Sequence, residues 1–173
     1  MKKYHSSSSY SNYEAVIASL MFLGIGYAVF STTESIYLKI ISIIIPILLI
    51  ILIVLYRRKK TFDIFFNEDK ILVDYFIIKE KHEIAYKDLL EITYISAHKS
   101  PIMNRIKFRK NKAIKSLKFT SVAYSDEYIA FIKWLKSKNE NIEISVFPSD
   151  NMMNHKIQEV YGFNYRKILK KTL

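Results

Sequence analysis

"YLKIISIIIPILLIILIVLYRRKK", residues 37–60, is an apolar run that stops in four consecutive cations. From Ile40 to Tyr56 it holds 17 residues without a charge, and counting from Ile36 with Lys39 reaching outward gives 21. About 20 helical residues span the hydrocarbon layer of a bilayer, so the run is long enough to cross one. A helix buried in a soluble core repeats polar positions every turn, whereas Ser42 and Pro46 are the interruptions here. Nine isoleucines between 40 and 53 would suit a strand, but this run is far longer than strands usually are. The pattern predicts a membrane-spanning helix over about 36–56, with Arg57, Arg58, Lys59 and Lys60 as its stop signal.

Upstream, Ala15 to Phe30 is a second uncharged run of 16 residues, "AVIASLMFLGIGYAVF". Extended to about 14–32 it makes a second span. A cleaved leader competes with that reading, since Lys2 and Lys3 supply a basic start. The apolar part begins late, however, and Phe30 stands where a cleavage site needs a small residue. Gly24-Ile25-Gly26 lacks the third glycine and preceding strand of a nucleotide fingerprint; with Ala18 and Ser19 it suits close helix approach. The short link "STTES" implies an antiparallel hairpin. Cations flank both of its open ends, which predicts an inner-membrane protein of bacterial type, multi-pass, with both termini cytoplasmic.

Composition supports a boundary between two solvents. Glu34 and Lys39 are the charges between Glu14 and Tyr56, whereas residues 57–173 hold 24 cations and 14 anions. The 173-residue chain has no cysteine, which excludes disulfides, thiolate metal sites and cysteine nucleophiles. Residues 1–13, rich in serine, are expected to be a flexible tail.

From Thr61 the apolar period becomes two. "TFDIFF", "ILVDYFII", "IAYKDLLEITYIS", "RIKFR" and "SLKFTSVAY" read as strands or strand pairs, with turns at "NEDK", "KEKHE", Lys87-Asp88 and "KNK". "SDEYIAFIKWLKSKN" then reads as a helix over 125–138, with Ser125 as its cap and Asp126 and Glu127 in its first turn. Tyr128, Phe131, Ile132 and Leu135 form one apolar stripe along it. Trp134 belongs to the same hydrophobic plug or its rim. The fold class expected is a membrane α-helical hairpin plus an α+β domain. That domain is an antiparallel barrel or sandwich over 61–138, capped by its helix. Residues 139–173 add a strand, "IEISVF", and a helical tail with a cap at Ser149, a break at Gly162 and a basic amphipathic end.

A meander of six or seven strands followed by one helix resembles the pleckstrin-homology-like superfold. With two preceding membrane helices the chain is similar to the YcxB-like group of bacterial membrane proteins. "FNEDKILVDY", "IAYKDLLEI" and "SDEYIAFIKWL" carry the likeness across 61–138. The superfold's members bind phosphoinositides, peptides or proteins, or act as scaffolds, so the resemblance implies a binding module and no particular ligand.

Between Lys99 and Lys118 there are eight cations and no acid. Arg105, Lys107, Arg109, Lys110 and Lys112, with Arg57, Arg58, Lys59 and Lys60, are the candidate patch for anionic lipid or a protein partner. The bland alternative is a solvated basic hairpin. Nucleic acid is not expected as a partner of a chain held at a membrane. His5, His82, His98 and His155 share no ligand spacing, and neither a GxSxG elbow nor a glycine-rich phosphate loop occurs. His82-Glu83, Asp63, Asp74, Asp88 and Glu91 fit solvated turn or outward strand positions. The expectation is therefore a membrane-anchored binding or scaffold module, with no enzyme activity, cofactor or metal. A membrane-resident immunity protein that neutralises a bilayer-acting toxin is the alternative.

Overall fold

The computed structural model describes residues 2–8, 12–96 and 101–162. In chain order the elements are β1 (Lys2–Ser7), α1 (Asn12–Thr32), α2 (Ile36–Arg57), β2 (Phe62–Asn67), β3 (Lys70–Tyr75) and β4 (Glu80–Ala85). A 3-10 turn over Tyr86–Asp88 leads to β5 (Leu89–Ile95), β6 (Met103–Lys110), β7 (Ala113–Thr120), α3 (Ser125–Lys138), β8 (Glu143–Phe147) and α4 (Met152–Tyr161). The chain divides into two compact units. One comprises Tyr10–Phe62 and Tyr75–Glu80; the other comprises Met1–Ser9, Asp63–Asp74 and Lys81–Leu173.

The first unit holds the two apolar helices. With 21 and 22 residues, α1 and α2 are about 31 and 33 Å long, enough to cross a membrane. Within their most apolar windows 6% and 11% of residues are buried, so almost all the apolar surface faces outward. That is the reverse of a soluble core helix. Ser42 and Pro46 are the buried residues of α2, and they mark where the helices touch. Gly26 of α1 lies against them: a Cβ there would stand 2.6 Å from the Ser42 carbonyl oxygen and 2.7 Å from Pro46 Cγ. Gly24 has nothing within 4 Å of its Cβ position, so only Gly26 serves close approach. Tyrosines stand near the ends of both runs, Tyr13 and Tyr27 on α1 and Tyr37 and Tyr56 on α2, all exposed.

The second unit is α+β. Its strands form two four-stranded sheets, in the orders β1-β2-β3-β4 and β7-β6-β5-β8. They do not close into a barrel. The expected flexible start is corrected here: residues 2–7 are a strand, antiparallel to β2 with Ser7 opposite Asp63. Its serines are weak strand formers, but Tyr4 reaches the core and stacks edge-on against Phe131 at 4.8 Å. Ser6 Oγ donates to the Thr120 carbonyl at 2.6 Å and Thr120 Oγ1 to the Ser7 carbonyl at 2.7 Å, joining the two sheets at β1 and β7. The segment 12–57 is thus inserted between two paired strands of one sheet.

α3 occupies the range its periodicity predicts. Tyr128, Ile129, Phe131, Ile132 and Leu135 are buried, and Phe131 meets Phe66 of β2 at 5.1 Å while Tyr128 meets Tyr94 of β5 at 4.7 Å. Ser125 is not the cap; Tyr124 precedes the helix, and Ser125 Oγ instead accepts from Lys156 at 2.6 Å. β8 is an added strand, parallel to β5. α4 is capped by Asn151, not Ser149: its side chain accepts from the Met153 N–H at 2.9 Å. Gly162, with φ 81°, ends α4, as a residue tolerant of left-handed backbone can. The basic amphipathic end expected after it lies outside the described residues.

The turn between β3 and β4 also moves. "KEKHE" was expected as the turn and "FII" as strand; instead β3 stops at Tyr75, Phe76–Lys79 turns, and the charged residues form β4. A charged edge strand resists pairing with other chains, which suits the position of β4 at the sheet's rim.

Candidate functional site

β6 and β7 form a hairpin whose turn, Asn111-Lys112, has φ values of 51° and 62°, the left-handed pair that matches strand twist. Along β6 the side chains alternate: Asn104, Ile106 and Phe108 are buried, and Arg105, Lys107 and Arg109 face the other way. Register places Lys118 opposite Arg105, Ser116 opposite Lys107 and Ile114 opposite Arg109. On the other side Thr93 lies opposite Arg105 and Glu91 opposite Lys107. One outer sheet face therefore carries Arg105, Lys107, Arg109 and Lys118.

Glu91 reshapes that face. Its Oε2 accepts from Lys107 Nζ at 2.5 Å, and its Oε1 lies 3.8 Å from an Arg105 nitrogen. Thr93 and Ser145 hydroxyls donate to Oε1 at 2.6 and 3.0 Å. Arg105 also donates to Thr93 Oγ1 at 3.3 Å. Burial pushes the Glu91 carboxyl up, but the hydrogen bonds from Lys107, Thr93 and Ser145 outweigh it and hold it below the ordinary carboxylate range. The carboxylate is only 13% exposed and fully committed to these donors, so it is no proton carrier. What it does is anchor Arg105 and Lys107 in fixed positions and offset part of their charge.

Lys110 leaves this face and meets His82 Nδ1 at 2.8 Å, where the imidazole must accept because an ammonium only donates. Lys112 sits in the exposed hairpin turn. The other four predicted cations belong to the helical unit. Arg57 pairs with Glu14 at 3.2 Å, Lys60 stands 3.5 Å over the Tyr56 ring, and Arg58 and Lys59 are exposed. Arg105, Lys107 and Arg109 come together on one sheet face of the α+β unit, whereas Arg57–Lys60 belong to the helical unit.

Sequence reasoning missed Glu91, Thr93 and Ser145 as organisers of the face. The clue was the alternation in "LLEITY", which puts Glu91 and Thr93 on the same side of a strand whose neighbour is basic. Among the described residues no group of three His, Asp or Glu is placed to hold a metal ion. What the face can do is attract an anion by charge and bidentate hydrogen bonding.

Neither a family model nor a curated protein matches the chain.

Proposed function

We propose that the chain is a two-span membrane anchor carrying a cytosolic binding module of pleckstrin-homology-like type, which presents its basic sheet face to anionic lipid or an acidic protein surface. No bond is made or broken; the mechanism is positional. The observation that carries this reading is the outward exposure of both long apolar helices, surface that water solvates poorly and acyl chains solvate well. The tyrosines near the helix ends suit the head-group level of a bilayer. Pairing of β1 with β2 supports the same-side placement of the helix ends, because strands on opposite sides of a membrane cannot share hydrogen bonds. The order of seven strands followed by α3 supports the superfold likeness.

Four residues, Arg58 to Thr61, separate α2 from β2, a link that reaches at most about 14 Å. A module on so short a tether meets anionic lipid at a high local concentration, so weak attraction suffices to engage its basic face. A reporter active only outside the cytoplasm, fused after Leu173, is expected to be silent, while a cytosolic fluorescent reporter at the same place is bright. Strong external activity overturns the assignment.

A further inference from the structure

The β3–β4 connection breaks a local rule. Turns are normally polar, yet this one is Phe76-Ile77-Ile78-Lys79, and the strand it leads into is charged. Phe76 is 55% and Ile77 41% exposed, so two large apolar side chains stand at the surface of a tight turn. The turn belongs to the same compact unit as the two long helices. Ile77 lines a groove of about 240 Å³ with Ala15, Ser19, Ile53, Val54 and Arg57. Ile53 lies one turn inside Arg57, roughly 6 Å along the helix toward its apolar middle. Ile77 therefore borders a groove that runs from Arg57 into the first apolar turn of the helices. Lys79 ends the turn with φ 51°, and Arg57, which lines the same groove, is followed in the chain by the exposed Arg58 and Lys59.

We propose that Phe76–Ile78 is a third membrane contact of this chain: an interfacial turn that buries Phe76 and Ile77 among acyl chains at the feet of the hairpin, with Lys79 at the head groups. The inference rests on the membrane reading above. Lipid is the occupant because the turn is continuous with helix surface that is itself apolar and outward-facing, and because cations flank it on the side where anionic head groups lie.

The chain has no cysteine, so single cysteines report cleanly. Phe76→Cys, Ile77→Cys, Leu48→Cys in mid α2 and Lys133→Cys on the exposed side of α3 each carry one environment-sensitive fluorophore. The full chain is reconstituted into phosphatidylethanolamine–phosphatidylglycerol vesicles containing lipids with a nitroxide near the head group or near the chain end. Labels at 76 and 77 are expected to be quenched by the shallow nitroxide, to within about twofold of the quenching that the deep nitroxide gives at 48, and the label at 133 to stay bright. Quenching at 48 with labels at 76 and 77 behaving like that at 133 overturns the interfacial turn and leaves the spans standing. No quenching at 48 overturns the membrane reading and the turn with it.

Discussion

Gly26 and Gly24 stand two residues apart on α1, yet substitution should move stability in opposite directions. Pro46 has no N–H, so the Ser42 carbonyl loses the donor that an ordinary helix would give it four residues on. Gly26 packs its bare backbone against that carbonyl. In hydrocarbon an exposed carbonyl is costly, and close approach of a Cα–H is partial relief. An alanine methyl at 26 cannot fit at 2.6 Å from backbone oxygen, so Gly26→Ala must spread the helices, at a cost of about 1–3 kcal/mol. Gly24→Ala meets open space and is expected to stabilise α1 by up to about 1 kcal/mol through helix propensity. Unfolding in mixed micelles separates the two; equal shifts would show that the crossing point lies elsewhere. Glu91 makes the second residue-scale case. Its folded carboxyl titrates below the ordinary Glu value of about 4.3, so its stabilisation is full above that value and is lost as pH falls through the folded one. Glu91→Gln should lose about 1–3 kcal/mol at neutral pH, with the gap to the parent chain closing as pH drops below about 4. Denaturant midpoints across that range test it, and a gap that persists undiminished in acid would rule out the carboxylate as the cause.

At the scale of elements, β1 depends on partners that its own sequence does not announce. Tyr4 contacts Phe131 and Trp134 of α3 at 4.8 and 5.2 Å, so this short strand is seated by one aromatic side chain. Tyr4→Ala is expected to cost about 2–4 kcal/mol and to open β1 to protease before the rest of its sheet. Simultaneous loss of both would instead mean that β1 is cooperative with the whole core. Elements whose signal is internal were legible: the apolar run of α2, the i, i+3, i+4, i+7 stripe of α3 and the basic turn of β6–β7 all lie where the residues predict. β1 was not, because a polar serine run reads as tail until β2 offers hydrogen bonds and α3 offers a ring to pack on. Its period-two pattern, Tyr4 and Ser6 inward with His5 and Ser7 outward, is visible only in hindsight. The β3–β4 turn was missed for the opposite reason, since apolar "FII" scores as strand wherever water is the assumed solvent. On the basic hairpin the charges were legible and their neutralisation was not: Glu91 precedes Lys107 by 16 residues, and only strand pairing joins them.

For the whole molecule, chain order is the most informative fact. The hairpin of α1 and α2 is a long insertion between β1 and β2, which are antiparallel neighbours with Ser7 opposite Asp63. Adjacent antiparallel strands need only a few residues to connect them. The aromatic cluster of the α+β unit, Tyr4, Phe66, Phe119, Tyr128 and Phe131, is drawn from residues outside the insertion. Replacing residues 9–61 by a short Asn-Gly turn should therefore yield a folded, water-soluble protein with fixed aromatic environments in near-ultraviolet circular dichroism. Removing the helices takes away their outward-facing apolar surface, while β1 gains a shorter closing loop that lowers the entropic cost of pairing. The turn at Phe76–Ile78 would remain as an apolar spot on the shortened protein. Phe76→Ser with Ile77→Ser should then improve its solubility without lowering its unfolding free energy by more than about 0.5 kcal/mol. A shortened chain that stays aggregated with both serines present, and lacks a cooperative transition, would mean that the helices form part of the fold itself and that the insertion is no mere anchor.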